Sequence, residues 1–138
     1  MKNVGYSELR KSRDKQEETA KYIEDDNVRR MLLFYAVECG AKYQYMRYKG
    51  YKLYEEVPED YKKNKHNIKE LLKEIGVGAK CKFPTLVSKH NEKISAGEYQ
   101  EMWRYGIAIK SEDRKKLDLI EHDMNVVLEL LHEIERRK

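Results

Sequence analysis

Arg104, set between Trp103 and Tyr105, is the residue whose type and neighbours best suit ligand chemistry. A guanidinium grips a phosphate through two parallel hydrogen bonds and stacks on aromatic rings. The alternative is an arginine that covers Trp103 at a helix end, paired with Glu101 or a carbonyl. His66 offers the proton chemistry of a general acid or base near neutral pH, although a histidine just before a helix also serves to bond a backbone group. Glu38 and Lys42 stand at i and i+4, the favourable orientation for a helical ion pair. On a core-facing side such a pair lines a polar pocket, and on the surface it is worth about 0.3–0.5 kcal/mol. From Lys42 to Tyr54 the chain interleaves tyrosines with cations, a mixture that binds single-stranded nucleic acid through stacked bases and paired phosphates. Tyr45, Tyr48 and Tyr51 also follow helical spacing, which packing alone explains.

Other chemistries find no support. Cys81, His90, His122 and His132 lack ligand spacing such as Cys-x-x-Cys, so no metal is expected, and no cofactor either. No phosphate loop, dinucleotide fingerprint or nucleophile elbow is present. Gly76-Val77-Gly78 lacks the strand-to-helix setting that a phosphate loop needs. Cys39 and Cys81 suggest no disulfide framework, because Cys39 falls in an apolar helical stripe where a free thiol acts as a small hydrophobe.

The elements that must position these residues are helices. Charged residues make up 39% of the 138, against about 25% in ordinary domains, so dense apolar strands are not available while amphipathic helices are. The formal charge is +4 with interleaved signs, which permits contact with nucleic acid but does not demand it. No signal-like or membrane-spanning apolar run occurs, and a cytoplasmic protein without membrane contact is expected.

A sparse, mostly exposed helix is predicted from Ser7 to Ile23, with Leu9, Ala20, Tyr22 and Ile23 on its face. Asp26 is placed as N-cap of a core helix from Asn27 to Lys49 that carries Val28, Met31, Leu32, Tyr35, Ala36, Cys39, Tyr43 and Met46, and Gly50 ends it. Asn67, with Glu70 as capping partner, starts a short helix with Ile68, Leu71, Leu72 and Ile75, stopped by Gly76. Pro84 opens a further helix with Leu86, Val87 and Ile94, and a short piece follows from Glu98 to Arg104. Ser111 caps the last helix, whose residues Leu117, Ile120, Met124, Val127, Leu131 and Ile134 repeat at alternating three and four. Val126, Leu128 and Leu130 widen that face beyond a two-stranded seam. The fold class is all-α: one domain over 1–138, an up-and-down bundle of about five helices with a long C-terminal helix and a partly exposed N-terminal helix over 1–25.

The order of these pieces resembles HEPN-type domains over residues 26–135. The run Leu33-Phe34-Tyr35-Ala36-Val37-Glu38-Cys39-Gly40-Ala41-Lys42 looks like the family's second helix. Lys65-His66-Asn67-Ile68 looks like its His-led short helix, and Trp103-Arg104-Tyr105-Gly106 like the Arg-Tyr pair before its final helix. The resemblance implies a helical bundle, frequent homodimers, and RNA cleavage or nucleotide binding in toxin–antitoxin, CRISPR or phage-defence systems. Ribonuclease members carry an Arg, four to six residues, then a His. Here Ile109, Lys110 and Ser111 follow Arg104 at those positions, and Leu119, Ile120 and Glu121 follow Arg114, with His122 one step too far. A non-catalytic binding module for a nucleotide, RNA or protein partner is therefore expected, with Glu38, Lys42, Trp103, Arg104 and Tyr105 as its ligand residues. The alternatives are a metal-independent ribonuclease using Arg104 and His66, and a structural helical adaptor.

Overall fold

The computed structural model describes residues 3–59 and 68–137. Their architecture is all-α apart from one small hairpin: α1 (Tyr6–Ala20), α2 (Asp26–Lys49), α3 (Ile68–Glu74), β1 (Leu86–Val87), β2 (Lys93–Ile94), α4 (Tyr99–Tyr105) and α5 (Arg114–Arg136). No described helix is long and apolar enough to cross a membrane.

The organising element is α2. Asp25, one residue earlier than expected, caps it by accepting a hydrogen bond from the Val28 amide at 2.9 Å, and Gly50 closes it at φ +79°. The helix packs against α1, α3, α4 and α5, so side chains are buried around most of its circumference: Leu33, Phe34, Ala36, Val37, Ala41, Tyr43, Tyr45 and Met46. The expected stripe is thereby rotated. Val28 is exposed, while Met31, Leu32, Tyr35 and Cys39 are only half-buried. A helix apolar on many sides has no unique stripe, and its neighbours decide which residues go inside.

The C-terminal helix behaves as its periodicity requires. Ile120, Met124, Val127, Leu128 and Leu131 are buried, and side chains of this size each contribute roughly 1.5–3 kcal/mol when removed from water. Its start differs from expectation: Ser111–Asp113 forms a 3-10 turn, and no side chain there caps α5. Asp113 instead accepts a hydrogen bond from the Val87 amide at 2.8 Å.

That bond anchors the largest departure from the sequence reading. The helix expected after Pro84 is a hairpin, with Leu86 paired to Ile94 and Val87 to Lys93. The Ser88 hydroxyl accepts from the His90 and Glu92 amides, and Asn91 takes φ +66° in the turn. A second strap pairs Lys89 with the Ala108 carbonyl and Lys110 with that of Val87. Beneath the hairpin, Phe34 meets Phe83, Tyr99 and Trp103 edge-on at centroid distances of 5.8–6.0 Å. The Tyr99 hydroxyl donates to the Pro84 carbonyl.

The N-terminal helix is partly exposed, as expected, with Leu9 and Ala20 buried against α2 together with Arg13. It ends at Ala20 rather than Ile23, and Tyr22, expected on its face, is exposed. Its entry is tied down by Glu8 accepting from the Gly5 amide at 2.8 Å and by backbone bonds from Tyr6 to Lys52 and from Tyr54 to Val4.

Candidate ligand-binding face

Arg104 lies in the last turn of α4, exposed, where Gly106 ends the helix. The hydroxyls of Tyr35 and Tyr105 hold its guanidinium above the ordinary arginine value. The carboxylate partner foreseen in Glu101 is not used: among the described residues no ion pair engages Arg104. Tyr105 is 68% exposed, so an open aromatic ring stands beside an uncompensated cation. Trp103, expected to share the ligand, points the other way. It is 3% exposed within the Phe34–Tyr99 cluster and belongs to the core.

Through Tyr35 the site reaches α2. Glu38 and Lys42 follow Tyr35 at three and seven residues, within about 60° of one side of the helix and about 4.5 and 10.5 Å along its axis. Lys42 Nζ approaches Glu38 Oε2 at 3.6 Å, and both side chains are largely enclosed. Glu38 also faces Tyr54, whose phenol is pushed up first by burial and then by that carboxylate. Glu38 and Lys42 thus lie on the side of α2 that Tyr35 occupies, paired with each other and largely enclosed, while Arg104 stands near Tyr35 at the end of α4 with Tyr105 next to it. His66 and the expected cap Asn67 lie outside the described residues.

The tyrosine–cation run after Lys42 does mainly structural work. Tyr43 and Tyr45 are buried, Tyr43 stacks on Tyr6 at 5.8 Å, and Tyr45 packs on Tyr51. Tyr48 stands open with Lys49 over its ring.

Two polar seams escaped the sequence reading. In the first, Arg13 is 1% exposed, bonded to Asp14 at 2.9 and 2.7 Å and to Glu135 at 2.8 Å, with its guanidinium over the Tyr43 ring. Gly40 opens the slot for it, because a β-carbon there would stand 2.8 Å from Arg13 Cδ and 3.0 Å from Leu131 Cδ1. A signal existed in Arg13 falling at i+4 from Leu9 and seven residues before Ala20, on the helix's own apolar line. In the second seam, Glu121 accepts from Arg29 and Arg30, and Arg30 reaches Asp118 at 2.8 Å. Both arginines are matched by carboxylates, which closes this network to a ligand.

Asp14, Glu17 and His132 bring ligand atoms within 4.8 Å of one another, the arrangement among described residues closest to a cation site. Arg13 already occupies Asp14, and His132 Nε2 lies 2.7 Å from Glu17, so the cluster is satisfied internally. The other described histidines stand apart from one another, His90 in the hairpin turn and His122 beside the Arg29–Arg30 network. The chain matches no family model, no curated protein and no solved structure.

Proposed function

We propose that this chain is a non-catalytic, HEPN-like binding module that takes RNA or a nucleotide on the face formed by α2 and α4. The observation that carries the reading is Arg104: exposed, in no ion pair among the described residues, and set beside the open Tyr105 ring. A guanidinium with free donors receives a phosphate, and an adjacent ring stacks a base. Scatter of Arg104, His66, Glu38 and Lys42 over separate faces would favour the adaptor reading. His66 lies outside the described residues, while Glu38 and Lys42 follow Tyr35, the neighbour of Arg104, on one side of α2, which supports binding. The HEPN resemblance is what would set such a module in bacterial or phage defence, or counter-defence.

The decisive measurement is binding of labelled RNA and of ATP by the wild type, Arg104→Ala and Tyr105→Ala. At least a tenfold loss in Arg104→Ala is expected, roughly 1.4 kcal/mol. Equal affinity in all three proteins sinks the assignment. The ribonuclease alternative is tested by incubating a mixed RNA pool with wild type, Arg104→Ala and His66→Ala; cleavage lost in both variants would replace this reading.

A second reading has its own observation. Val28, Met31 and Leu32, on the same reach of α2, stay exposed or half-buried, and Tyr, Met and Arg are favoured interface residues. That suits a homodimer or a protein partner on this face. Light scattering at tens of micromolar with Val28→Glu distinguishes it, since a dimer through this face would dissociate.

A further inference from the structure

The chain's positive excess is concentrated in one stretch. Residues 61–82 hold seven lysines against two glutamates, an excess of five that exceeds the +4 of the whole chain. Glu70 and Glu74 alternate with Lys69 and Lys73 along α3, and Lys62, Lys63 and Lys65 lie outside the described residues. Lys69, Lys73, Lys80 and Lys82 fall on described structure, and all four are exposed. Among the described residues no ion pair engages any of them.

Their arrangement depends on two glycines. Gly76 ends α3 at φ +85°, and the chain doubles back through a 3-10 turn at Gly78–Lys80. Gly78 allows that return to lie against the helix. A β-carbon there would stand 3.0 Å from Lys73 Cα and 3.1 Å from its amide nitrogen, backbone atoms that cannot yield. The turn therefore brings Lys82 to the same open hollow as Lys69 and Lys73, a concavity of about 480 Å³ that Glu70 also borders. Lys69 and Lys73 sit one helical turn apart, about 6 Å along the axis.

We propose that this lysine-edged hollow binds the phosphates of a nucleic-acid strand. It is a surface separate from Arg104, and it goes beyond that reading. Among the described residues of the segment Ile68, Leu71, Leu72 and Val77 are buried and Ile75 is half-buried, so no large apolar side chain there stands open as the wedge that an interfacial helix requires. Lys69, Lys73 and Lys82 edge the concave surface with Glu70 as its one bordering carboxylate, a net positive footprint of the kind that tracks a phosphate backbone. Cys81, in the floor, contributes no nucleophile: burial first, then Asp123, pushes its thiol up to about 12.

The test is the affinity for a short, labelled, mixed-sequence single-stranded RNA over a series of salt concentrations. The proteins compared are the wild type and the quadruple variant Lys69→Gln, Lys73→Gln, Lys80→Gln and Lys82→Gln. Each phosphate-contacting lysine removed should flatten the log–log salt slope by roughly 0.7, with a loss of about tenfold or more at low salt. A charge-matched control, Lys11→Gln, Lys15→Gln, Lys89→Gln and Lys115→Gln, should bind nearly as the wild type does. The proposal is overturned if both quadruple variants lose affinity equally, if the first keeps the wild-type slope, if the wild type binds no RNA, or if phosphatidylserine vesicles compete as well as unlabelled RNA. Arg104→Ala, run alongside, separates the two surfaces. Lost binding there with an unchanged quadruple variant refutes the hollow and leaves the α2–α4 face standing, and the reverse pattern does the opposite.

Discussion

Arg13 and Arg104 are chemically the same side chain in opposite surroundings. Arg13 is buried against α2, and two carboxylates and an aromatic ring take up its charge. Arg104 is exposed, is in no ion pair among the described residues, has the phenols of Tyr35 and Tyr105 near it and stands beside an open ring. A buried cation is tolerable only when paired, because its desolvation costs several kcal/mol. A solvated cation needs no partner and keeps its donors for a ligand. The contrast separates an arginine that holds helices together from one placed to receive something.

The largest effect expected from breaking this contrast is on stability. Arg13→Leu should lower the unfolding free energy by about 3 kcal/mol, read as a shift in the urea midpoint. The figure is at the low end for a broken buried pair because Glu135 keeps a side-chain exposure of 20% and water relieves it. A shift below about 1 kcal/mol would mean that the seam is not structural. Gly40→Ala comes next. The added methyl presses on Arg13 and Leu131, an overpacking cost of roughly 1–3 kcal/mol, while the gain in helix propensity returns about 1 kcal/mol. A net loss is expected, and a stabilised Gly40→Ala protein would show that the slot has slack.

The third test is pH. Hydrogen bonding from Arg29 chiefly, then from Arg30, holds Glu121 below its ordinary value of 4.5, against the opposing effect of burial. A depressed carboxylate stabilises the fold fully above 4.5 and loses that contribution as pH falls through its folded value. Stability measured by urea titration at decreasing pH should therefore fall off more gently in Glu121→Gln than in the wild type; parallel curves would count against the network. The smallest stability effect belongs to Arg104→Ala, within about 0.5 kcal/mol of wild type, since its surroundings are solvent and phenols. A large destabilisation there would erase the distinction between the two arginines.

Legibility varied with how much of an element's environment is local. The C-terminal helix was readable because its apolar residues recur on one side and face one core. In α2, apolar residues occupy several sides, and four packed neighbours chose Leu33, Phe34 and Val37 over Val28 and Leu32. The hairpin was misread as a helix because Leu86-Val87 is too short a run for any period to show. The bonds that decide it come from Asp113, 26 residues away, and from the strap at Ala108–Lys110. Arg104 stood out for its aromatic neighbours, yet the same neighbours suggested a ligand role for Trp103, which packs inward.

By itself the sequence determined the all-helical class, the helix stops at Gly50 and Gly76, and the long apolar face of the last helix. Each follows from composition and from spacing within a few residues. Only the tertiary structure decided which charges are spent on the fold and which face outward. Arg13 finds Glu135 across 122 positions, and Arg104 finds Tyr35 from a different helix. Whether an ion is paired or free depends on desolvation and on partners that chain separation hides, and no local pattern encodes either.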